Sequence, residues 1–231
     1  MPFSIPSLSP DEIQALLLSL KISSVAVALS LPFAAAAALL LRRNFIGKTL
    51  LDGIVHLPLV LPPVAMGFIL LTIFGTRAGL GAFLHDTLGV TLVFRWTGAV
   101  LASMLFTFPF QVRAIRIALE AQDRGLDDAA RTLGAGLWDR LFNITLPLAL
   151  PGLVAGAITA FAASLGEFGA IITFVSNIPG ETRTLPLAIY TALQTPGGEA
   201  AAARLSALSI GLALVFMLTA QLIMRRVERR A

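Results

Sequence analysis

Long apolar segments alternate with short polar stretches along this chain, and their lengths give the first structural prediction. A helix needs about 20 mostly apolar residues to cross the hydrocarbon core of a bilayer. Five segments reach that length, at about residues 13–41, 50–74, 97–119, 148–175 and 204–224. Pro32 predicts a kink in the first, and three prolines predict a break in the second. The pattern therefore predicts an all-α bundle of about five transmembrane helices.

Two further apolar pieces do not fit this pattern. The segment 184–193 is too short to span a bilayer, so we expect a lip or re-entrant helix on one side of the membrane. The stretch 76–96 contains enough apolar residues to leave a sixth span as an alternative. A sixth span would place both chain ends on the same side.

Composition supports the membrane assignment and excludes several kinds of site. The chain is 57% hydrophobic and only 13% charged, with a mean hydropathy of +0.86, whereas soluble domains carry about 25% charged residues. The lipid bilayer is therefore its main solvent. It has no cysteine and two well-separated histidines, so we expect neither a disulfide nor a metal site. The first basic residue is Lys21, so no secretory signal is predicted.

Basic residues predict the orientation, because lysine and arginine concentrate in cytoplasmic loops. Twelve of the 17 fall in three clusters, which a five-span topology places on one side: Arg42, Arg43, Lys48; Arg113, Arg116, Arg124, Arg131, Arg140; and Arg225, Arg226, Arg229, Arg230. The N-terminus is then outside and the C-terminus inside. We interpret the net charge of +4 as this bias, and we expect no nucleic-acid partner.

The longest of these loops contains an amphipathic pattern. Apolar residues recur there at three- and four-residue spacing, which predicts one face of a helix: Leu126, Ala129, Ala130, Leu133, Leu137 and Leu141. We expect Gly134 and Gly136 to divide this helix into two pieces. Its polar positions mix both charge signs, which favours a groove of a partner protein over an anionic lipid surface.

The same loop carries a spaced motif. Asp128-Ala129-Ala130 is followed after three residues by Gly134, and after nine more by Ile144-Thr145-Leu146-Pro147. This resembles the signature of the permease subunits of ATP-binding-cassette (ABC) importers, E-A-A, three residues, G, nine residues, I-x-L-P, with aspartate in place of glutamate. The resemblance implies a type I importer permease fold over residues 1–231. It also implies a coupling loop at 121–147 in which these residues contact the ATPase: Asp128, Ala129, Ala130, Gly134, Ile144, Leu146 and Pro147.

The resemblance also implies partners. We expect a homodimer in the cytoplasmic (inner) membrane, a dimer of ATP-binding subunits, and an external or periplasmic oxyanion-binding protein. ATP and magnesium would be bound by the partner ATPase, so this chain is expected to hold no cofactor and to be no enzyme. The tripeptide at 47–49, Gly-Lys-Thr, is not a phosphate-binding loop, because its first glycine is replaced by Arg42 and no strand precedes it.

Two longer stretches indicate a substrate by resemblance alone. Residues 50–68 and 164–205, the latter containing "FVSNIPGETRTLP", are similar to the permease subunits of molybdate importers. Related sulfate permeases share the "LGEFGA" part, but we do not expect "FVSNIPGETRTLP" in them. The resemblance therefore implies molybdate, with tungstate alongside it, and leaves sulfate or another oxyanion as the alternative.

Five residues are candidates for the translocation path or its gate. Glu167 is predicted to lie deep in the fourth span, where an acid usually faces a bundle interior or a wet cavity. Because a carboxylate repels an oxyanion, we expect it to act in packing or gating. Ser164 and Thr173 could donate to the anion or simply bond within the bundle. Pro62 and Pro63 expose backbone that must be buried in protein or line a cavity.

The outer loop after this span has two open interpretations. Asn177, Thr182 and Arg183 would meet the delivered anion or the delivering protein, or they would be simply solvated. An ion-coupled secondary transporter remains a weaker alternative for the whole chain, because we find no internal repeat. A membrane enzyme or scaffold has no paired acids, histidine cluster or nucleophile–base pair to support it.

Overall fold

The computed structural model describes residues 8–77 and 79–228, and within them every regular element is helical. This confirms the all-α prediction. The elements are α1 (Pro10–Arg42), α2 (Lys48–Val60), α3 (Pro63–Phe74), α4 (Gly79–Leu88), α5 (Trp96–Glu120), α6 (Arg124–Thr132), α7 (Leu137–Arg140), a π-helical turn (Leu141–Thr145), α8 (Leu146–Leu165), α9 (Gly169–Val175), α10 (Leu185–Gln194) and α11 (Glu199–Glu228).

Among the residues that the structure describes, four helical stretches are long and apolar enough to cross a membrane: α1, α5, residues 137–165 and residues 199–226. Helices α2 and α3 pass the same length and apolarity test only when taken together, and they are bent by 112° at the short break between them. If they form one broken span, they make a fifth. That break falls at Leu61 and Pro62, as the prolines predicted. Helix α4 has only ten residues, so the described part of 76–96 supplies no sixth span. Helix α10 also has ten residues and is the short helix predicted at 184–193.

The fourth predicted span is wrong beyond residue 165. We expected one helix over 148–175, but α8 ends at Leu165 and α9 begins at Gly169. Phe168 has φ −126°, outside the helical range, and Gly166 is a weak helix former. The Glu167 carboxylate then accepts the Ala170 N–H at 2.8 Å and so starts a new helix. Glu167 therefore lies between two helices and not within one. A hydropathy pattern could not predict this, because it does not detect a side chain that caps a helix.

The chain divides into two compact units. Unit 1 comprises residues 1–26, 61–103 and 164–213, of which 8–26, 61–77, 79–103 and 164–213 are described. Its buried cluster joins α1, α10 and α11 through Ala15, Leu185, Ala188 and Leu205. Helices α3 and α9 pack along each other in the same unit.

Unit 2 comprises residues 27–60, 104–163 and 214–231 and contains α2, α6, α7 and most of α8. Its buried core is Ala34, Ala38, Leu41, Val55, Val112, Ile115, Leu119 and Ala149. Gly152 and Gly156, a pair with small-xxx-small spacing, bring α8 against α5, since a Cβ at Gly152 would lie 2.4 Å from the Ala118 Cβ. Arg229 and Arg230, which the orientation prediction used, lie outside the described residues.

Candidate functional site

The 121–147 loop forms the two short helices that its pattern predicted. Helix α6 begins after Asp123, whose carboxylate accepts the Gly125 N–H at 2.9 Å and caps the helix. It ends after nine residues. Helix α7 follows at Leu137 with Gly136 as its N-cap residue. The division at Gly134 and Gly136 is confirmed.

Gly134 adopts a backbone conformation that favours glycine. Its φ is +84°, in the left-handed region that side-chain-bearing residues rarely occupy. The Gly134 N–H donates to the Arg131 carbonyl and the Ala135 N–H donates to the Ala130 carbonyl, both at 3.0 Å. These two bonds form a Schellman motif, which satisfies carbonyls at the end of α6. The turn at Gly134 is therefore fixed by the loop's own backbone.

Side chains then hold the two pieces together. Arg140 on α7 donates from Nη1 to the Asp127 carboxylate on α6 at 2.8 Å. Trp138 and Phe142 stack with ring centroids 6.0 Å apart, continuing the segment into the π-helical turn. Since α7 passes through this turn directly into α8, the loop is continuous with a long apolar helix.

Gln122 ties the loop to the helices around it. Its amide nitrogen donates to the Thr145 carbonyl at 3.0 Å, and its amide oxygen accepts from Arg42 at 3.3 Å. Arg42 and Thr145, the two partners of Gln122, also line a cleft of about 670 Å³. Its lining comes from the end of α1 and from the loop: Leu39, Leu40, Arg42, Arg43, Asn44, Asp127, Asp128, Leu137, Arg140, Leu141 and Thr145. Gln122 thus links the loop to the end of α1 and to the π-helical turn that leads into α8.

The loop presents an apolar surface. Leu133 is 89% exposed and Trp138 68%, and Leu126, Leu137 and Phe142 are also exposed. Among the motif residues, Asp128 and Ala129 are exposed and Ala130 is partly buried. The sequence pattern found the leucines but missed Trp138 and Phe142. Their i,i+4 spacing was the signal that could have found them.

Ile144, Leu146 and Pro147, the last part of the motif, lie at the junction of the π-helical turn and α8. Ile144 and Leu146 are partly buried, whereas Pro147 is exposed. The motif thus extends from the exposed α6 into the start of a long helix. This is the arrangement that an element linking a docking surface to a membrane span requires.

The candidate path residues lie around the contact between α3 and α9 in unit 1. A Cβ at Gly67 would lie 2.7 Å from the Ala170 carbonyl oxygen and 2.8 Å from the Thr173 Cβ. A Cβ at Gly169 would lie 2.9 Å from the Pro63 Cβ. Glycine therefore allows the two helices to approach backbone to backbone. This contact brings Pro63 and Thr173, two of the five candidates, onto one pair of helices.

The candidate side chains differ in burial and in hydrogen bonding. Glu167 is 3% exposed, and its carboxylate accepts a backbone N–H at the start of α9, which supports the expected packing role. Thr173 donates to the Gly169 carbonyl at 2.8 Å, the bond to the preceding turn that was its alternative interpretation. Ser164 is buried, and its hydroxyl has no hydrogen-bond partner among the described residues. Pro62 is exposed at the start of α3.

In the part of the chain that the structure describes, no group of three or more histidine, cysteine, aspartate or glutamate side chains could hold a metal ion.

Comparison with known proteins finds a matching family model and similar sequences. Residues 30–230 match the model of the binding-protein-dependent transport system inner membrane component. The chain is 57% identical over 225 residues to the molybdenum transport system permease protein of Escherichia coli (strain K12), covering 97% of this chain and 98% of that one. It is also 40% identical over 215 residues to the chloroplastic sulfate permease 2 of Chlamydomonas reinhardtii, covering 91% of this chain and 58% of that protein.

A solved structure shares the fold. A chain of the bacterial alginate ABC transporter, in complex with an alginate pentasaccharide-bound periplasmic protein, superimposes with a TM-score of 0.77. The match covers 95% of this chain and 80% of that one at 20% identity. At that identity the likeness concerns the fold alone.

Proposed function

The chain belongs to the family of binding-protein-dependent transport system inner membrane components, and from that premise we propose that it carries molybdate through the membrane in an ATP-driven importer. The observation that carries the substrate assignment is the 57% identity over nearly the full length to a molybdenum transport permease. We include tungstate because it is an oxyanion of nearly the same size and the same charge.

The 121–147 loop is proposed to dock onto a separate ATPase subunit, which binds ATP and magnesium. Support comes from its exposed apolar side chains, its mixed charges and its rigid turn at Gly134. Asp128, Ala129 and Ala130 would lie at the contact. Ile144, Leu146 and Pro147 would transmit its motion into α8, with which they are continuous.

We propose a homodimer because of the break between α2 and α3. Pro62 and Pro63 are exposed on the single chain, yet irregular backbone in a membrane must be covered by protein or line a wet cavity. A second copy would supply that cover, with a path lined in part by α3 and α9. Pro62, Pro63, Ser164, Glu167 and Thr173 are the proposed path or gate residues, and Glu167 and Thr173 act there by packing.

The orientation and the external partner complete the proposal. The chain ends are proposed to lie outside (N-terminus) and inside (C-terminus) the inner membrane, as the basic clusters at Arg42, Arg116 and Arg140 favour. A periplasmic or external binding protein would deliver the oxyanion. The family description itself names transport that depends on a binding protein.

Sulfate is the second candidate substrate, favoured by the 40% identity to a sulfate permease. The two candidates are separated by uptake of radiolabelled molybdate into vesicles holding the reconstituted permease, its ATPase and its binding protein. Unlabelled molybdate and tungstate are expected to compete, and sulfate is expected not to. Competition by sulfate as strong as that by molybdate would contradict the substrate proposal while leaving the transport role intact.

A further inference from the structure

The segment between α9 and α10, residues 176–184, is held in one conformation by its own hydrogen bonds. The Thr182 hydroxyl accepts the Ile178 N–H at 2.9 Å and donates to the Ser176 carbonyl at 3.0 Å. The N–H groups of Thr182 and Arg183 both donate to the Ile178 carbonyl, at 2.9 and 3.0 Å. Thr182 is fully buried. Residues on this segment are therefore positioned and not merely solvated.

Arg183 is oriented by a chain of neutral partners. Its Nε donates to the Asn177 side-chain oxygen at 3.0 Å. The Asn177 amide nitrogen donates in turn to the Thr191 hydroxyl on α10 at 2.7 Å, and that hydroxyl donates to the Leu187 carbonyl at 2.9 Å. Only one edge of the guanidinium is used in this way. The two terminal nitrogens, which carry four of the five N–H groups, make no hydrogen bond within the described part of the chain and remain for another acceptor.

The charge of Arg183 is not cancelled by a neighbouring acid. Glu181, two residues away, faces Arg95 at 3.7 Å and accepts the Trp96 N–H at 3.3 Å. Among the residues that the structure describes, no ion pair includes Arg183, whereas Arg204 in the same unit is paired with Glu12. A partly buried cation with a fixed orientation and no counter-ion is suited to an anionic ligand.

The residues that orient Arg183, Asn177 and Thr191, also lie near the α3–α9 contact. Thr191 follows Tyr190, whose ring lies 5.1 Å from that of Phe168 between centroids. Phe168 immediately precedes Gly169, the glycine that packs against Pro63. The guanidinium and the candidate path residues are thus carried by elements in direct contact.

From this geometry we propose that Arg183 is a substrate-contacting residue that receives the doubly charged tetrahedral oxyanion as it enters the path. The planar guanidinium matches two oxyanion oxygens with two parallel N–H bonds, which a lysine cannot reproduce. Asn177 is the positioning residue. A single cation binds strongly enough to admit the anion and weakly enough to release it onward. The inference rests on the proposed function and on the proposed orientation.

The test compares two rates in the reconstituted complex of permease, ATPase and loaded binding protein at saturation. One is molybdate uptake, and the other is ATP hydrolysis stimulated by the loaded binding protein. Arg183→Gln is expected to lower uptake at least tenfold while stimulated hydrolysis stays within about twofold of the parent. Arg183→Lys should recover part of the uptake, and Asn177→Ala should give an intermediate loss. The matched control is Arg95→Gln, a cation of the same unit that faces an acid, and it should leave uptake within about twofold.

Three results would overturn the inference. Uptake by Arg183→Gln within twofold of the parent removes the anion contact. Parallel loss of uptake and of stimulated hydrolysis assigns Arg183 to docking of the binding protein. Uptake by Arg183→Lys equal to that of the parent shows that the two parallel N–H bonds of the guanidinium are not what matters. If Arg183→Gln does not yield folded complex, Asn177→Ala decides, since parental uptake there contradicts the positioning. Failure of the parent to take up molybdate would instead contradict the proposed function.

Discussion

Two of the interruptions between helices, one at Gly134 in the 121–147 loop and one at residues 166–168 between α8 and α9, are stabilised differently. Around Gly134 the turn is closed by backbone hydrogen bonds between residues three and five positions apart, and a Cβ there would meet no atom within 4 Å. Between α8 and α9 the buried Glu167 carboxylate accepts a backbone N–H at the start of α9. Helix α3 packs so closely on α9 that the contact requires glycine at Gly67 and Gly169. The first is local and exposed; the second is buried and depends on a distant part of the chain.

This difference separates two kinds of consequence. A change near α9 meets packed backbone, so it should act mainly on the stability of the folded chain. A change at Gly134 meets open space, so it should leave the fold intact and act on whatever the loop contacts. The following variants test that separation, in order of decreasing effect.

Gly67→Val should have the largest effect. Its Cβ alone would lie 2.7 Å from the Ala170 carbonyl oxygen, and neither backbone can yield without separating α3 from α9. Overpacking typically costs about 1–3 kcal/mol, and we expect the upper end here. The thermal midpoint of the purified protein in detergent should fall by several degrees, or the folded protein should not be recovered. Gly53→Val on α2 is the control, because nothing lies within 4 Å of its Cβ. Equal midpoints for the two variants would refute the close contact.

Glu167→Ala should have the next largest effect. It leaves the buried Ala170 N–H without its acceptor, which costs about 1–3 kcal/mol. Glu167→Gln keeps an oxygen in the same place and should lose less. Thermal midpoints of both variants, measured with their molybdate uptake, check this order. Normal midpoints with abolished uptake in both would mean that the charge acts in transport and not as a cap.

The smallest effect is expected from the ion pair in the loop. Arg140 and Asp127 are 17% and 43% exposed, and such pairs contribute about 0–1 kcal/mol. Arg140→Gln and Asp127→Asn, alone and together, should shift the midpoint by a degree or two at most. A double-mutant cycle gives their interaction energy. A coupling well above about 1 kcal/mol would show that the loop is held by this pair more than by its turn.

The same contrast explains what the sequence could predict. The division of the loop at Gly134 and Gly136 follows from local pattern and capping, so it was predicted correctly. The end of α8 was not, because hydropathy averages over Glu167 and does not register that its carboxylate binds the backbone three residues on. Gln122 was missed for a related reason. Its partners, Arg42 and Thr145, lie 80 and 23 residues away, and nothing in the sequence near 122 indicates them.

The close approach at Gly67 is a further case. A glycine within an apolar span predicts some helix contact, but not which helix provides it. The kink at the prolines of the second span was predictable, since proline removes a backbone donor wherever it lies. Its size, a bend of 112°, was not, because a proline indicates where a helix breaks and not the angle at which the chain continues. Local chemistry thus indicated where the chain breaks but not the geometry of the break.

The central claim is that the 121–147 loop couples this permease to an ATPase, and one matched pair of variants tests it most directly. Gly134 and Gly136 both have open space around them, but φ is +84° at the first and −67° at the second. Valine is strained at the first by at least about 1–2 kcal/mol and is unstrained at the second.

The measurement is ATPase co-purification together with molybdate uptake for Gly134→Val and Gly136→Val. Both variants should insert and dimerise normally. Gly134→Val should lose ATPase binding, or keep ATP hydrolysis that no longer drives uptake, whereas Gly136→Val should stay near the parent in both. Parental uptake and co-purification by Gly134→Val would contradict the claim.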